Sequence, residues 1–160
     1  MESSTVKKLI DDDIIEKYRI KISDNKAKNI NQGKELGISS KDGNKTYSFR
    51  MYEDFNPDDT YLACFDVSEG IRKDASVLYI WNITETSNIR LCLKFSSNEV
   101  SPLEFAYISN ELLKLYANPF LAGESNGIAK GYIEQLKVTY GYQHFVMMGK
   151  QGTEGIDSHV

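Results

Sequence analysis

The chain has 160 residues, 41% of them hydrophobic and 26% charged, and a net charge of −4. That is enough for one domain with its own core, and no run approaches the ~18 consecutive apolar residues of a membrane-spanning helix. The negative balance argues against a domain that grips nucleic acid by bulk charge alone. The charge is uneven, however: residues 1–50 hold 11 Lys+Arg against 8 Asp+Glu, and the remaining 110 hold 8 against 15. The opening MESSTVKKLIDDD has no apolar h-region and does not read as a signal peptide. Cys64 and Cys92 lie in apolar runs without CxxC spacing. They read as reduced core thiols in a reducing compartment, not as a disulfide or zinc ligands.

Residues 1–46 read as an irregular lead-in. Asp11-Asp12-Asp13 ahead of Ile14–Tyr18 predicts a short helix with its acids at the N-terminus, where the helix dipole favours them. The Lys-, Asn- and Gly-rich stretch Ser23–Thr46 reads as a surface loop or a hairpin turn, with Asp42-Gly43 as the turn signal. Its Gly43-Asn44-Lys45-Thr46 looks like a phosphate loop, but the glycine spacing is wrong and no buried strand precedes it. From there the pattern becomes regular. Tyr47–Tyr52 alternates as a half-exposed strand, Asn56-Pro57-Asp58-Asp59 is a turn, and Tyr61–Val67 reads as a buried central strand. Ser76–Thr84 and Ile89–Phe95 continue it as an antiparallel meander. Ser101-Pro102-Leu103-Glu104 opens a helix with a capping-box signature. Leu103, Ala106, Tyr107, Leu113 and Tyr116 are its expected inner face, and Asn118-Pro119 ends it. Phe120–Glu124 is a short strand that must run parallel to a neighbour, because a helix precedes it. Ile128–Tyr140 is a second helix, with Ile128, Ile133, Leu136 and Tyr140 toward the core, and Gln143–Met148 is a fifth strand. Gly149–Val160 predicts no element.

The order βββαβαβ is that of the ribonuclease H-like α/β fold: a mixed five-stranded sheet, spatial order 3-2-1-4-5, with flanking helices. It places the domain at 47–160; the family resemblance given below implies that this domain is C-terminally incomplete, lacking its last helices. The first and fourth strands are then parallel neighbours. Asp66 ends one and Glu124 the other, so the two acids should meet at the carboxyl edge of the sheet. Acids at such strand ends repel one another unless a cation compensates them. The pattern therefore points to a divalent-metal site of the kind that hydrolyses phosphodiesters, with Mg2+ or Mn2+ as a hard, oxygen-loving ion pair. Asp66 would bridge the ions, Glu124 would bind one, and Glu69 and Asp74 would be outer-shell groups that orient water. Each has a plainer alternative: Asp66 as a turn former bonding its own backbone, Glu124 as an acceptor for amides of the next helix start. His144 reads as structural, His159 as uninformative, and Tyr52, Tyr107, Tyr116, Tyr132 and Tyr140 as core rather than as a base-stacking platform.

The run Asp66-Val67-Ser68-Glu69-Gly70 through Asp74 resembles the first motif of the nuclease domain of tailed-phage terminase large subunits. Gly123-Glu124-Ser125-Asn126-Gly127 resembles the motif carrying that family's second metal ligand. Tyr52-Glu53 to Pro57 and Tyr61, and Ser101 to Ala106, are similar to the lead-in to its first strand and the start of its first helix. The likeness covers about residues 47 to 156. It implies a metal-dependent endonuclease cutting concatemeric double-stranded DNA, catalytic metal ligands at Asp66 and Glu124, and the small terminase subunit and portal ring as partners in the host cytoplasm. The chain departs from the family in two ways. There is no Walker motif, and the third acid, expected on a helix beyond the fifth strand, has no match, since Asp157 comes too early. A module that binds DNA or motor partners without cutting is the alternative. A sugar-kinase or actin-like half is a further one, disfavoured because Glu69 and Asp74 in the first hairpin would repel phosphate.

Overall fold

The computed structural model describes residues 32–148 and 155–157; the short helix expected at 11–18 and His159 lie outside them. The strands are β1 (Lys34–Ser39), β2 (Thr46–Met51), β3 (Tyr61–Asp66), β4 (Ser76–Asn82), β5 (Arg90–Ser97), β6 (Phe120–Glu124), β7 (Phe145–Met148) and β8 (Gly155–Asp157). They form one sheet in the order β1-β2-β5-β4-β3-β6-β7-β8. Its centre, β5-β4-β3-β6-β7, is the expected 3-2-1-4-5 arrangement, with β6 parallel to both β3 and β7. Three strands widen the sheet beyond these five: β2, which is the half-exposed strand expected at Tyr47–Tyr52, and β1 and β8, which were not expected. At one side β1 and β2 form a hairpin whose second strand joins β5, so residues 34–39 are strand rather than loop. At the other, β8 pairs antiparallel with β7, in a stretch for which no element was expected.

Alternation decides which face of the sheet is covered. In β3 and β4 every second residue is buried, and the intervening ones are half-buried apart from the exposed, strand-ending Asp66. The inner set, Ala63, Phe65, Leu78, Ile80, Leu93 and Phe95, packs under α1 (Pro102–Lys114) and α2 (Ala129–Glu134). Ring contacts join the layers: Phe105 stacks on Phe95 and on Tyr132, and Tyr132 meets Phe65. The Tyr132 hydroxyl, fully buried, donates to the Ser109 Oγ at 3.0 Å and so is not stranded in the core.

The expected cap of α1 is half realised. The Ser101 Oγ accepts from the Glu104 N–H at 3.2 Å, and Pro102 takes the first helical position. The Glu104 carboxylate does not return the bond to Ser101. It accepts instead from the Lys41 N–H at 3.0 Å, tying the β1–β2 turn to the helix start. That turn is closed by Asp42, whose Oδ1 accepts from the Asn44 N–H and the Ser40 hydroxyl; these bonds hold its carboxyl below the usual range. The segment taken for a phosphate-loop look-alike is this hairpin turn. Two helix-face expectations are corrected. Leu103, in the first turn of α1, is 57% exposed, and Ile128, the N-cap ahead of α2, is 40% exposed. The second helix also does not run as a single α-helix to Tyr140. Gln135–Thr139 is a π-helical turn, closed by the Tyr140 N–H on the Gln135 carbonyl.

Candidate metal-binding edge of the sheet

Asp66 is the last residue of β3 and Glu124 the last of β6. The parallel register pairs Leu62 with Phe120 and runs to Phe65 with Gly123, so one step further sets Asp66 beside Glu124. Register partners in neighbouring strands point to the same face, and adjacent strands run ~4.8 Å apart. Both acids therefore rise from one sheet edge on the face away from α1 and α2, and both are exposed. Among the described residues neither carboxylate accepts a hydrogen bond or forms an ion pair.

Local packing seats the two strand ends together. Gly123 precedes Glu124, and a Cβ there would occupy the space of the Phe65 ring. The glycine thus lets Phe65 lie across β6 and reach Tyr132, which seats the two strand ends side by side. After Glu124 the Asn126 Oδ1 accepts from the Ala129 N–H at 3.0 Å and starts α2.

The β3–β4 loop carries Glu69 and Asp74, both exposed, and is pinned from beneath. Ser76, fully buried, accepts from the Ser68 N–H at 2.8 Å through its hydroxyl, and the Ser68 hydroxyl donates to the Asp74 carbonyl at 2.7 Å. Gly70 has φ +72°, and a Cβ there would run into the Val100 carbonyl, so the loop lies directly on the β5–α1 connection. Arg72, also left-handed at φ 63°, donates its N–H to the Asn98 carbonyl at 2.9 Å and pairs with Glu99 at 3.5 Å. Sequence reasoning found the acids but not Ser76 or this contact. A buried serine in a strand and a glycine in an acidic turn carry no signal of what they touch.

Carboxylate oxygens of this kind suit a hard cation: one or two acids with water completing the shell can hold Mg2+ or Mn2+. A complete two-ion cage is a different matter. Among the described residues no group of three or more His, Cys, Asp or Glu converges on one point. Asp157 lies in β8 opposite Phe145, the first residue of β7, whereas Glu124 pairs with Met148 at the far end of that strand. Asp157 thus belongs to the other edge of the sheet.

Of the remaining side chains singled out from sequence, His144 is structural: its Nδ1–H donates to the Asn118 carbonyl at 2.6 Å, and its ring meets Phe120 and Tyr142. Tyr116 and Tyr132 are buried, and Tyr107 and Tyr140 pack against the core. Both cysteines are free thiols. Cys92 is buried, and burial pushes it up to about 12. Cys64 is not a core residue; it belongs to the half-exposed face.

No family model matches the chain, and no curated protein does. Solved structures do. The large terminase nuclease of the thermophilic phage G20c, with bound magnesium, superposes with a TM-score of 0.54 at 15% identity, over 66% of this chain and 52% of that one. The cobalt-bound form gives the same values, and the zinc-bound form a TM-score of 0.53 over 57% of its length. The chain spans about half the length of these nucleases. At this identity the likeness establishes the fold, an α/β mixed sheet of the ribonuclease H-like kind shared with large terminase nuclease domains.

Proposed function

We propose that this chain is a divalent-metal-dependent DNA endonuclease module of the phage packaging-terminase kind, with Asp66 and Glu124 as its catalytic metal ligands. One observation carries the reading: two exposed carboxylates, without a partner among the described residues, stand at the carboxyl ends of adjacent parallel strands, one step beyond the paired register and on one face. Asp66 and Glu124 would hold the ion between them, Asp66 bridging to a second ion where one binds. A bound ion of this class supplies Lewis-acid activation of a phosphoryl oxygen and a more acidic water. The residues themselves do the positioning. The buried Ser68–Ser76 pair fixes the loop that follows Asp66, and the Phe65–Gly123 contact fixes the strand end before Glu124. Glu69 and Asp74, projecting from that loop, orient water around the site. The substrate in this reading is concatemeric double-stranded DNA, met with the small terminase subunit and the portal ring in the host cytoplasm.

A second reading has its own observation. With no third convergent acid among the described residues, the module binds DNA or a motor partner without cutting. One experiment separates the two: plasmid nicking by the full chain in Mn2+ or Mg2+, beside calorimetric metal titration. Nicking lost in Asp66→Ala and in Glu124→Ala supports the enzyme. Absence of nicking, with metal binding weaker than roughly millimolar and DNA binding retained, removes it in favour of the second reading.

A further inference from the structure

The carboxyl edge of the sheet carries cations as well as acids, and they lie to one side. β5 runs in the same direction as β3, since both are antiparallel to β4, and so ends at the same edge. β2 is antiparallel to β5, which brings the β1–β2 turn there too; continuing the Phe49–Phe95 register sets Lys45 opposite Glu99. At that point one carboxylate holds two cations. The Lys45 Nζ lies 3.5 Å from Glu99 Oε2, and the Arg72 Nε lies 3.5 Å from Oε1. Lys73 follows, exposed. Exposed pairs at such a distance contribute little to stability, and the Arg72 side chain is 81% exposed, so the fold alone does not account for this group. The Arg72 backbone is held in a left-handed conformation that glycine adopts at lower cost, and its N–H is fixed on the Asn98 carbonyl. The outcome is a guanidinium set out from a pinned loop, with its two terminal amino groups unpartnered among the described residues. The nearby acids of this flank are turned inward instead: Asp42 accepts from Asn44 and Ser40, and Glu104 from the Lys41 N–H.

We infer that Arg72 and Lys45, with Lys73 beside them, grip the phosphate backbone of a DNA duplex laid along this edge. The position of the grip relative to a cut rests on the reading of Asp66 and Glu124 given above; the grip itself does not. A chain of net charge −4 whose edge also carries Asp66, Glu69, Asp74 and Glu124 repels a polyanion, so a strand can approach only where local cations offset them. The planar fork of Arg72 suits a phosphate, and Lys45 adds a point charge beside it. Glu99 holds the two cations together in the free protein and yields them to the more highly charged ligand. The ends of β3 and β5 are two strands apart, ~10 Å. At ~3.4 Å of axial rise per nucleotide, the gripped phosphate lies about three nucleotides from the acid pair.

The test is anisotropy of the full chain on a labelled duplex of about 20 base pairs, without divalent metal, between about 50 and 200 mM salt. Each lost phosphate contact lowers the slope of log affinity against log salt by about 0.9. Arg72→Gln/Lys45→Gln should lower it by about 1.8 and weaken binding at low salt by at least about tenfold. Arg72→Lys keeps the charge and should restore the slope. Glu99→Gln should tighten binding a few-fold, whereas a group that merely braced the fold would lose affinity here too. Lys114→Ala, at the end of α1 on the opposite edge, should change neither quantity. An unchanged slope in the folded double variant overturns the inference, as does a wild-type chain that fails to bind the duplex at low salt. Should the double variant not fold, Lys45→Gln and Glu99→Gln decide singly: a slope lower by about 0.9 and tighter binding support the grip, and no change in either overturns it. The two proposals fail separately. A lowered slope without any nicking keeps the grip and removes the endonuclease; nicking abolished by Asp66→Ala with an unchanged slope does the reverse.

Discussion

The two ends of the β3–β6 strand pair are built on opposite principles. At the amino end every polar group met is neutralised. Arg90 holds Glu53 at 2.8 Å, Asn82 donates to Asp59 at 2.8 Å, the Tyr116 hydroxyl donates to the Glu53 carbonyl, and the Tyr142 hydroxyl to that of Pro119. At the carboxyl end Asp66 and Glu124 stand beside one another with no partner among the described residues, above a loop that adds Glu69 and Asp74. One end is arranged for stability. The other sets like charges side by side with no partner among the described residues.

The comparison can be broken most sharply at Asp66. Asp66→Asn should lower metal-dependent nicking by on the order of a hundredfold while leaving the melting temperature unchanged or slightly higher, because it relieves repulsion and breaks no bond. A clear loss of stability would mean that the carboxylate supports the fold. Gly70→Ala comes next. It forces a side chain into a left-handed conformation and against the Val100 carbonyl. The expected cost is about 2–4 kcal/mol in urea unfolding, with nicking reduced because the loop is displaced. At the other end, Tyr116→Phe removes a hydroxyl that also reaches the Cys92 carbonyl at 3.4 Å. About 1–2 kcal/mol should be lost there, with metal binding untouched. Glu53→Gln should have the smallest effect. Its pair with Arg90 is a third exposed on both sides, so ~0.5–1 kcal/mol is expected, weaker still in high salt.

The central strands were legible because burial writes itself into period two. β3 and β4 alternate strictly, and the apolar run of β6 between a helix and a turn fits only a buried parallel strand. β1 was not legible. Leu36 is 39% exposed, and of the strand KELGIS only Ile38 packs against the core, so backbone pairing to β2 does most of the holding. β8 is three residues long, too short for any periodicity. The π-turn at Gln135–Thr139 has the same residue pattern as an α-helix; what selects it is the Tyr142 N–H reaching the Leu136 carbonyl after Gly141 at φ +67°. The candidate site divides the same way. Its acids could be found from strand ends and topology. The Ser68–Ser76 support and the seating of Phe65 over Gly123 could not, since both depend on contacts across the sheet.

The crossover through α1 also sets an order of assembly. β3, β4 and β5 are joined by short turns and can zip together from local contacts, whereas β6 reaches β3 only after the intervening helix has docked. By this topology Asp66 belongs to the locally connected strands and Glu124 to the one that depends on the crossover. A nascent or partly opened chain holds half of the carboxylate pair, and any chemistry that needs both is confined to molecules that have finished folding.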